Sequence, residues 1–189
     1  MKLEQHILKF ISLTDAELQS VLSYFNRIET KKKELLLKEG QLCRYNYFVE
    51  SGCLRMYFID DKGVEKTVQF AIEKWWISDY FSFQKQSNSE FYIQAIESSG
   101  VLGLTFPNQE KLLEEHPKME RYFRMIHQTA HAASQMRGKY NKDFSREEQF
   151  RHFNANFPEF VQRVPQYMLA SYLGITPEYL SELRARIVS

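Results

Sequence analysis

Residues 166–189, QYMLASYLGITPEYLSELRARIVS, decide how the rest of the chain is read. Pro165 stands at a first helical position, where a missing backbone N–H costs nothing, and Met168, Leu169, Tyr172 and Leu173 follow on one face at helical spacing. A helix is therefore expected from about Pro165 to Leu173. Gly174 comes where a left-handed residue is needed, a conformation that glycine alone accepts cheaply. Thr176 offers its hydroxyl as an N-cap and Pro177 pre-sets the first helical dihedral, so a second helix follows after a three-residue break. Its apolar positions are Leu180, Leu183 and Ile187. Ala170 is small where the helices cross, and Leu169, Leu173, Ile175, Leu180 and Leu183 point inward; this is the spacing of a DNA-binding helix-turn-helix. A plain helical hairpin shares the glycine but not the agreement of small residue, turn and five apolar positions.

Composition bounds what surrounds this unit. The 189 residues suffice for one good core, or for a medium domain and a small one. A hydrophobic content of 43% with 15% aromatics excludes general disorder. No run of about 18 apolar residues occurs, and MKLEQHILKF at the start lacks a signal-peptide core, so a cytoplasmic protein with no membrane partner is expected. The net charge of +1 is uneven: positions 1–115 hold 14 basic and 17 acidic residues, the remainder 11 and 7. The basic excess thus lies with the helix-turn-helix, as a phosphate-facing module requires. Cys43 and Cys53 lack metal-ligand spacing and read as buried small hydrophobes. Of five histidines only His127 and His131 stand at i, i+4, with no acid or thiol placed beside them, so no metal and no cofactor are expected.

Working back along the chain, Ser145-Arg146-Glu147-Glu148 is a capping box that opens a helix to about Asn156, which Pro158 ends. Before it, Pro117 opens a long helix in which Met119, Tyr122, Phe123, Ile126, Ala130, Ala133 and Met136 form an apolar stripe, with Gly138 as its end or kink. Such a stripe fits a dimer helix of coiled-coil type, contacting through Tyr122, Ile126, Ala130 and Ala133, and equally packing onto the protein's own body. A short helix is expected over Asn108–Glu115. From Leu35 to Leu104 the pattern is of short strands punctuated by Gly40, Gly52, Gly63, Gly100 and Gly103, which predicts a compact β barrel or roll. Trp75 to Ser89, WWISDYFSFQKQSNS, interrupts the strands as a loop, either lining a ligand pocket or packing the core. Thr14-Asp15-Ala16-Glu17 caps an opening helix that runs to about Phe25. The fold class is therefore α+β: a β-roll over 1–115, a long helix over 116–138, and an all-α helix-turn-helix unit over 139–189.

In this order the parts resemble the Crp/Fnr family of bacterial transcription regulators. YFVESGCLRMYFIDDKGVEKTVQF is similar to the central strands of its cyclic-nucleotide-binding-type roll, a double-stranded β-helix. WWISDYFSF occupies the place of its phosphate-binding cassette, and FPEFVQRVPQYMLASYLGITPEYLSELR looks like the helix-turn-helix of its short, wingless members. The resemblance implies a homodimer whose partners are double-stranded DNA, RNA polymerase and a small-molecule effector. It implies an effector pocket at Trp75, Trp76, Ser78, Asp79, Tyr80, Phe83, Ser89 and Glu90. It also implies DNA contacts from Arg163, Thr176, Pro177, Glu178, Tyr179, Ser181, Glu182, Arg184 and Arg186.

Two departures qualify this. Family members that bind cyclic AMP hold its phosphate with a Gly-Glu pair and an arginine; here the matching positions are Ser78, Asp79 and Ser89 or Glu90, and no arginine occurs between Arg55 and Arg121. A buried phosphodiester needs charge-assisted donors, and Lys74 or Lys85 would replace a planar fork poorly, so the expected effector is not cyclic AMP. The second departure is acidic: Glu178 and Glu182 stand where the family presents donors. A protein-interaction adaptor with a degenerate helix-turn-helix is the alternative. An enzyme is not expected: residues 35–104 hold no histidine for a metal centre, and no Ser/His/Asp or Cys/His pattern is visible.

Overall fold

Aromatic and β-branched residues recur between turn-formers from residue 26 to 105, and this segment pairs into strands. A computed structural model describes the backbone of residues 2–188 and the side chains of residues 2–186. The expected apolar role of Ile187 lies outside the described side chains. In chain order the elements are α1 (Leu3–Ile7), α2 (Asp15–Leu22), β1 (Asn26–Thr30), β2 (Leu35–Leu37), β3 (Tyr45–Ser51), β4 (Leu54–Ile59), β5 (Glu65–Ala71), β6 (Trp76–Ile77) and α3 (Tyr80–Lys85). Then follow β7 (Tyr92–Ala95), β8 (Ser99–Thr105), α4 (Phe106–Glu115), α5 (Lys118–Asp143), α6 (Arg146–Asn156), α7 (Pro158–Arg163), α8 (Gln166–Leu173) and α9 (Pro177–Val188).

The strands form two four-stranded sheets, ordered β1-β8-β3-β6 and β2-β7-β4-β5. Pairing of β1 and β3 with β8, and of β2 and β4 with β7, is antiparallel. The α+β roll, long helix and C-terminal helices of the expected fold class are all present. Two compact units divide the chain, one of residues up to 58 with 68–127, the other of 59–67 with 128 onward.

Within the first unit the period of two along β3 builds two cores. Tyr47 and Val49 face the other sheet and join Leu37, Leu54, Ile77, Phe83, Ile93 and Val101. Phe48, between them, faces the opposite way and packs with Leu3, Ile7, Val21, Leu112, Met119 and Tyr122 from the flanking helices and with Leu104 of β8. Inside this second core lies one polar cluster. The Tyr122 hydroxyl is 2.8 Å from His6 Nδ1 and accepts from Trp76 Nε1 at 3.1 Å. After accepting from Trp76 the hydroxyl still has its proton and a second lone pair, so it bonds Nδ1 in the sense that the His6 tautomer sets.

In the second unit Gln149, buried, donates to the carbonyls of Tyr140, which also accepts from the Phe144 N–H, and of Phe144, just past the end of α5. Phe150, Phe160, Val161, Val164, Met168, Leu169, Leu180 and Leu183 are buried. The hairpin segment 59–67 belongs to this unit: Ser171 Oγ accepts from the Thr67 N–H at 2.9 Å and donates to the Glu65 carbonyl at 2.8 Å.

Several local expectations are corrected. Residues 80–85 form a helix rather than a loop because Asp79 caps it, its carboxylate accepting from Ser82 N–H. The long helix continues through Gly138 to Asp143, since a lone exposed glycine costs only about 1 kcal/mol and no neighbour within 4 Å of its Cβ position forces a bend. The opening helix stops at Leu22 and gives way to β1, and Pro158, besides ending α6, starts α7.

Burial first, and then Lys9 and Lys74, hold the His6 pKa below its ordinary 6.5. The unfolded chain therefore takes up this proton first as pH falls, so the His6 contribution is complete above about 6.5 and declines below it. His127 shifts the same way by burial. Thermal unfolding from about pH 7.5 to 5.5 should show a falling Tm, and His6→Gln should make that fall shallower; an equally steep fall in the variant would contradict the neutral-His6 network.

Candidate nucleic-acid interface and effector cassette

The helix-turn-helix assembles as its residue pattern requires. Gly174 adopts φ 67° and ψ 36°, and the N–H of Ile175 reaches back to the Ala170 carbonyl at 3.0 Å, closing the end of α8. Thr176 Oγ1 accepts from Tyr179 N–H at 3.2 Å and so caps α9. Leu169, Ala170, Leu173, Leu180 and Leu183 are buried and Ile175 is half-buried, so the two helices share one apolar seam. That seam leaves Thr176, Pro177, Glu178, Ser181, Glu182 and Arg186 exposed, with Tyr179 and Arg184 half-buried beside them. Arg163, at the end of α7, is exposed as well.

The acidity of this face is moderated in a way that the i, i+4 spacing of 182 and 186 encodes. Arg186 lies 3.9 Å from Glu182 and 3.7 Å from Glu147; Arg186 and Glu182 are exposed and Glu147 is half-buried, so each pair is individually weak. Glu178, in the first turn of α9, sits where a carboxylate favours the helix dipole.

In the roll, the cassette residues separate into two groups. Ser78, Asp79 and Ser89 converge and are buried. Asp79 accepts from Ser89 Oγ at 2.6 Å through one carboxylate oxygen and from Ser82 N–H at 3.2 Å through the other. Ser78 Oγ donates to the Tyr45 carbonyl at 3.2 Å and lies 3.3 Å from Cys43 Sγ. Ser82 Oγ accepts from Cys43 N–H at 3.2 Å and donates to the Ser87 carbonyl. Burial, the largest influence, pushes the Cys43 thiol up and keeps it protonated. Trp76 does not join this group: it packs against Phe48 and Phe123 in the helix-side core. Phe83 is buried between the sheets, while Trp75, Tyr80 and Glu90 are exposed. Tyr80 Oη is 2.6 Å from His127 Nε2. Ser82 and Cys43, which complete the buried cluster, carry no sequence pattern that points to them.

Along α5, Ile126 is half-buried and Ala130 and Ala133 are exposed. Tyr122, expected on the same face, is fully buried in the unit's own core, because its hydroxyl closes the His6–Trp76 network; its side chain is not at the helix surface. Among the described residues no group of three His, Cys, Asp or Glu could hold a metal ion, and no helix is long and apolar enough to cross a membrane.

Gly174→Ala should cost about 1–2 kcal/mol in chemical denaturation, since a Cβ is strained at this φ. Asp79→Ala should cost a similar ~1–2 kcal/mol by removing a helix cap. An unchanged midpoint in either variant would contradict the conformational role assigned to that residue.

No protein-family model and no curated relative matches the sequence. Solved structures do. The c-di-GMP responsive global regulator CLP from Xanthomonas campestris is 14% identical, with a TM-score of 0.72 over 92% of this chain and 91% of that one. A CooA mutant from Carboxydothermus hydrogenoformans is 16% identical, with a TM-score of 0.70 over 96% and 82%. A protein from Eubacterium rectale assigned to the crp/fnr family of transcriptional regulators is 16% identical, with a TM-score of 0.69 over 93% and 84%. The chain has the fold that these proteins share, the crp/fnr-family regulator among them.

Proposed function

We propose that this chain is a DNA-binding transcription regulator of the Crp/Fnr type. The observation that carries the reading is the exposed N-terminal half of α9, held outward by the apolar seam with α8. In this reading Glu178 accepts from cytosine N4 in the major groove, and Ser181 and Tyr179 add hydrogen bonds. Arg163, Arg184 and Arg186 contact backbone phosphates, which position the helix without reading sequence. Two copies associate along α5 through Ile126, Ala130 and Ala133, the two alanines allowing close helix approach, and present two reading helices to a pseudo-palindromic site. RNA polymerase is the further partner that the resemblance implies.

The effector, in this reading, is not a cyclic nucleotide. Asp79 is a buried carboxylate that already takes Ser82 N–H and Ser89 Oγ, two of the donors an incoming phosphate would need. A second anion beside it is repelled at low dielectric, and no arginine of the cassette offsets this. The acidic face of α9 supports a second reading, an adaptor that binds protein in place of DNA.

Selection of bound fragments from random genomic DNA at moderate salt tests the main reading. Enrichment of a palindrome with half-sites about 10 base pairs apart is expected; no enrichment from a chain that is dimeric by sedimentation would favour the adaptor. Glu182→Arg should tighten non-specific DNA binding and steepen log K against log salt by about one unit, and an unchanged slope would mean that this face does not meet DNA. Calorimetric titration should detect no saturable binding of cyclic AMP at micromolar concentration.

A further inference from the structure

A groove of about 460 Å³ opens on the first unit, between the turn that follows α1 and the start of α5. Its apolar part is Leu8, Phe10 and Ile11, of which Ile11 is buried, Phe10 half-buried and Leu8 exposed at 46%. Its charged part is Lys9, Lys118 and Arg121, and no acidic residue lines it. The groove is open, its volume falls within the range of about 300–1,000 Å³ of small-molecule sites, and its lining is more polar than is usual for them, with Ser12 beside the three cations.

Two of these three cations are not explained by the fold. Lys118 is held by Glu17 at 2.8 Å, but Lys9 and Arg121 have no ion-pair partner among the described residues. Lys118 and Arg121 also stand at the beginning of α5, the positive end of its dipole, where acidic residues would stabilise the helix and cations oppose it. Glu120 in the same turn and Glu17 on Lys118 offset part of this, and Arg121 is left as the cation without an ion-pair partner there.

We propose that this groove binds a small amphipathic organic anion. Arg121 and Lys9 hold its carboxylate or phosphate, Arg121 by a bidentate fork, and a short hydrocarbon or aromatic body lies on Leu8, Phe10 and Ile11. Both halves are required: the head supplies charge pairing, and the tail removes apolar surface from water. The site is separate from Asp79 and its cluster, so it does not depend on the proposed regulator function.

The test is a titration of the full chain with octanoate, followed by amide NMR shifts. Saturable shifts are expected at residues 8–12 and 118–121, with affinity falling at high salt. Octanol and inorganic phosphate, each carrying half of the chemistry, should bind at least about tenfold more weakly. Arg121→Gln and Lys9→Gln should each weaken octanoate about fivefold or more. Arg121→Gln should not lower Tm, because it removes a cation from the positive end of α5; binding loss with intact stability separates a ligand contact from a structural one. Equal binding of octanol, equal binding of phosphate, displacement of the shifts by duplex DNA alone, or octanoate affinity unchanged in both variants would each overturn the proposal.

Discussion

A strand covered on both faces must carry buried side chains in both directions, and β3 meets that constraint: residues 46–49 are all buried. Its alternation places Tyr47 and Val49 between the sheets and Phe48 against the helices, so both cores of the first unit depend on one register. β8 pairs along nearly the whole of β3 and fixes that register, with Phe48 opposite Leu102 and Val49 opposite Val101. A shift by one residue would exchange the two cores. The helix-side core then needs Tyr122, whose hydroxyl joins α1, β6 and α5 through His6 and Trp76.

The same roll shows how buried polar groups shape a candidate site. Asp79 is only 5% exposed, and burying a carboxylate is costly unless hydrogen bonds meet it. Ser82 N–H and Ser89 Oγ meet it, and in doing so they fold α3 and tie the cassette into the roll. The cassette therefore carries its own anion. In the second unit, by contrast, Glu182 and Arg186 are exposed and Glu147 is half-buried, and solvent screens the pairs they form.

The helix-turn-helix was legible because its determinants are local. Gly174 needs a positive φ, Thr176 caps the helix that follows it, and Leu169, Leu173, Leu180 and Leu183 recur at helical spacing; none requires a distant partner to be recognised. The strand series was legible for the same reason. Elements with weaker local signals were not: β6 is two residues long, and α3 depends on a cap whose carboxylate also needs Ser89, ten residues on. Gly138 looked like a helix end because sequence reading assigns glycine its backbone freedom without showing that nothing at that place uses it.

Sequence alone thus determined the element types, the turn between α8 and α9 and the outward face of α9, since each follows from backbone preferences and periodicity over a few residues. Tertiary structure decided which stripe residues are available. Tyr122 and Ile126 share a helix face by spacing, yet Tyr122 is drawn into the core by His6, which lies 116 residues away, and Ile126 is half-buried. Tertiary structure likewise separated Trp76 from Asp79 and placed Lys9 and Arg121 along one groove. Pairings of this kind depend on long-range packing, to which no local periodicity corresponds.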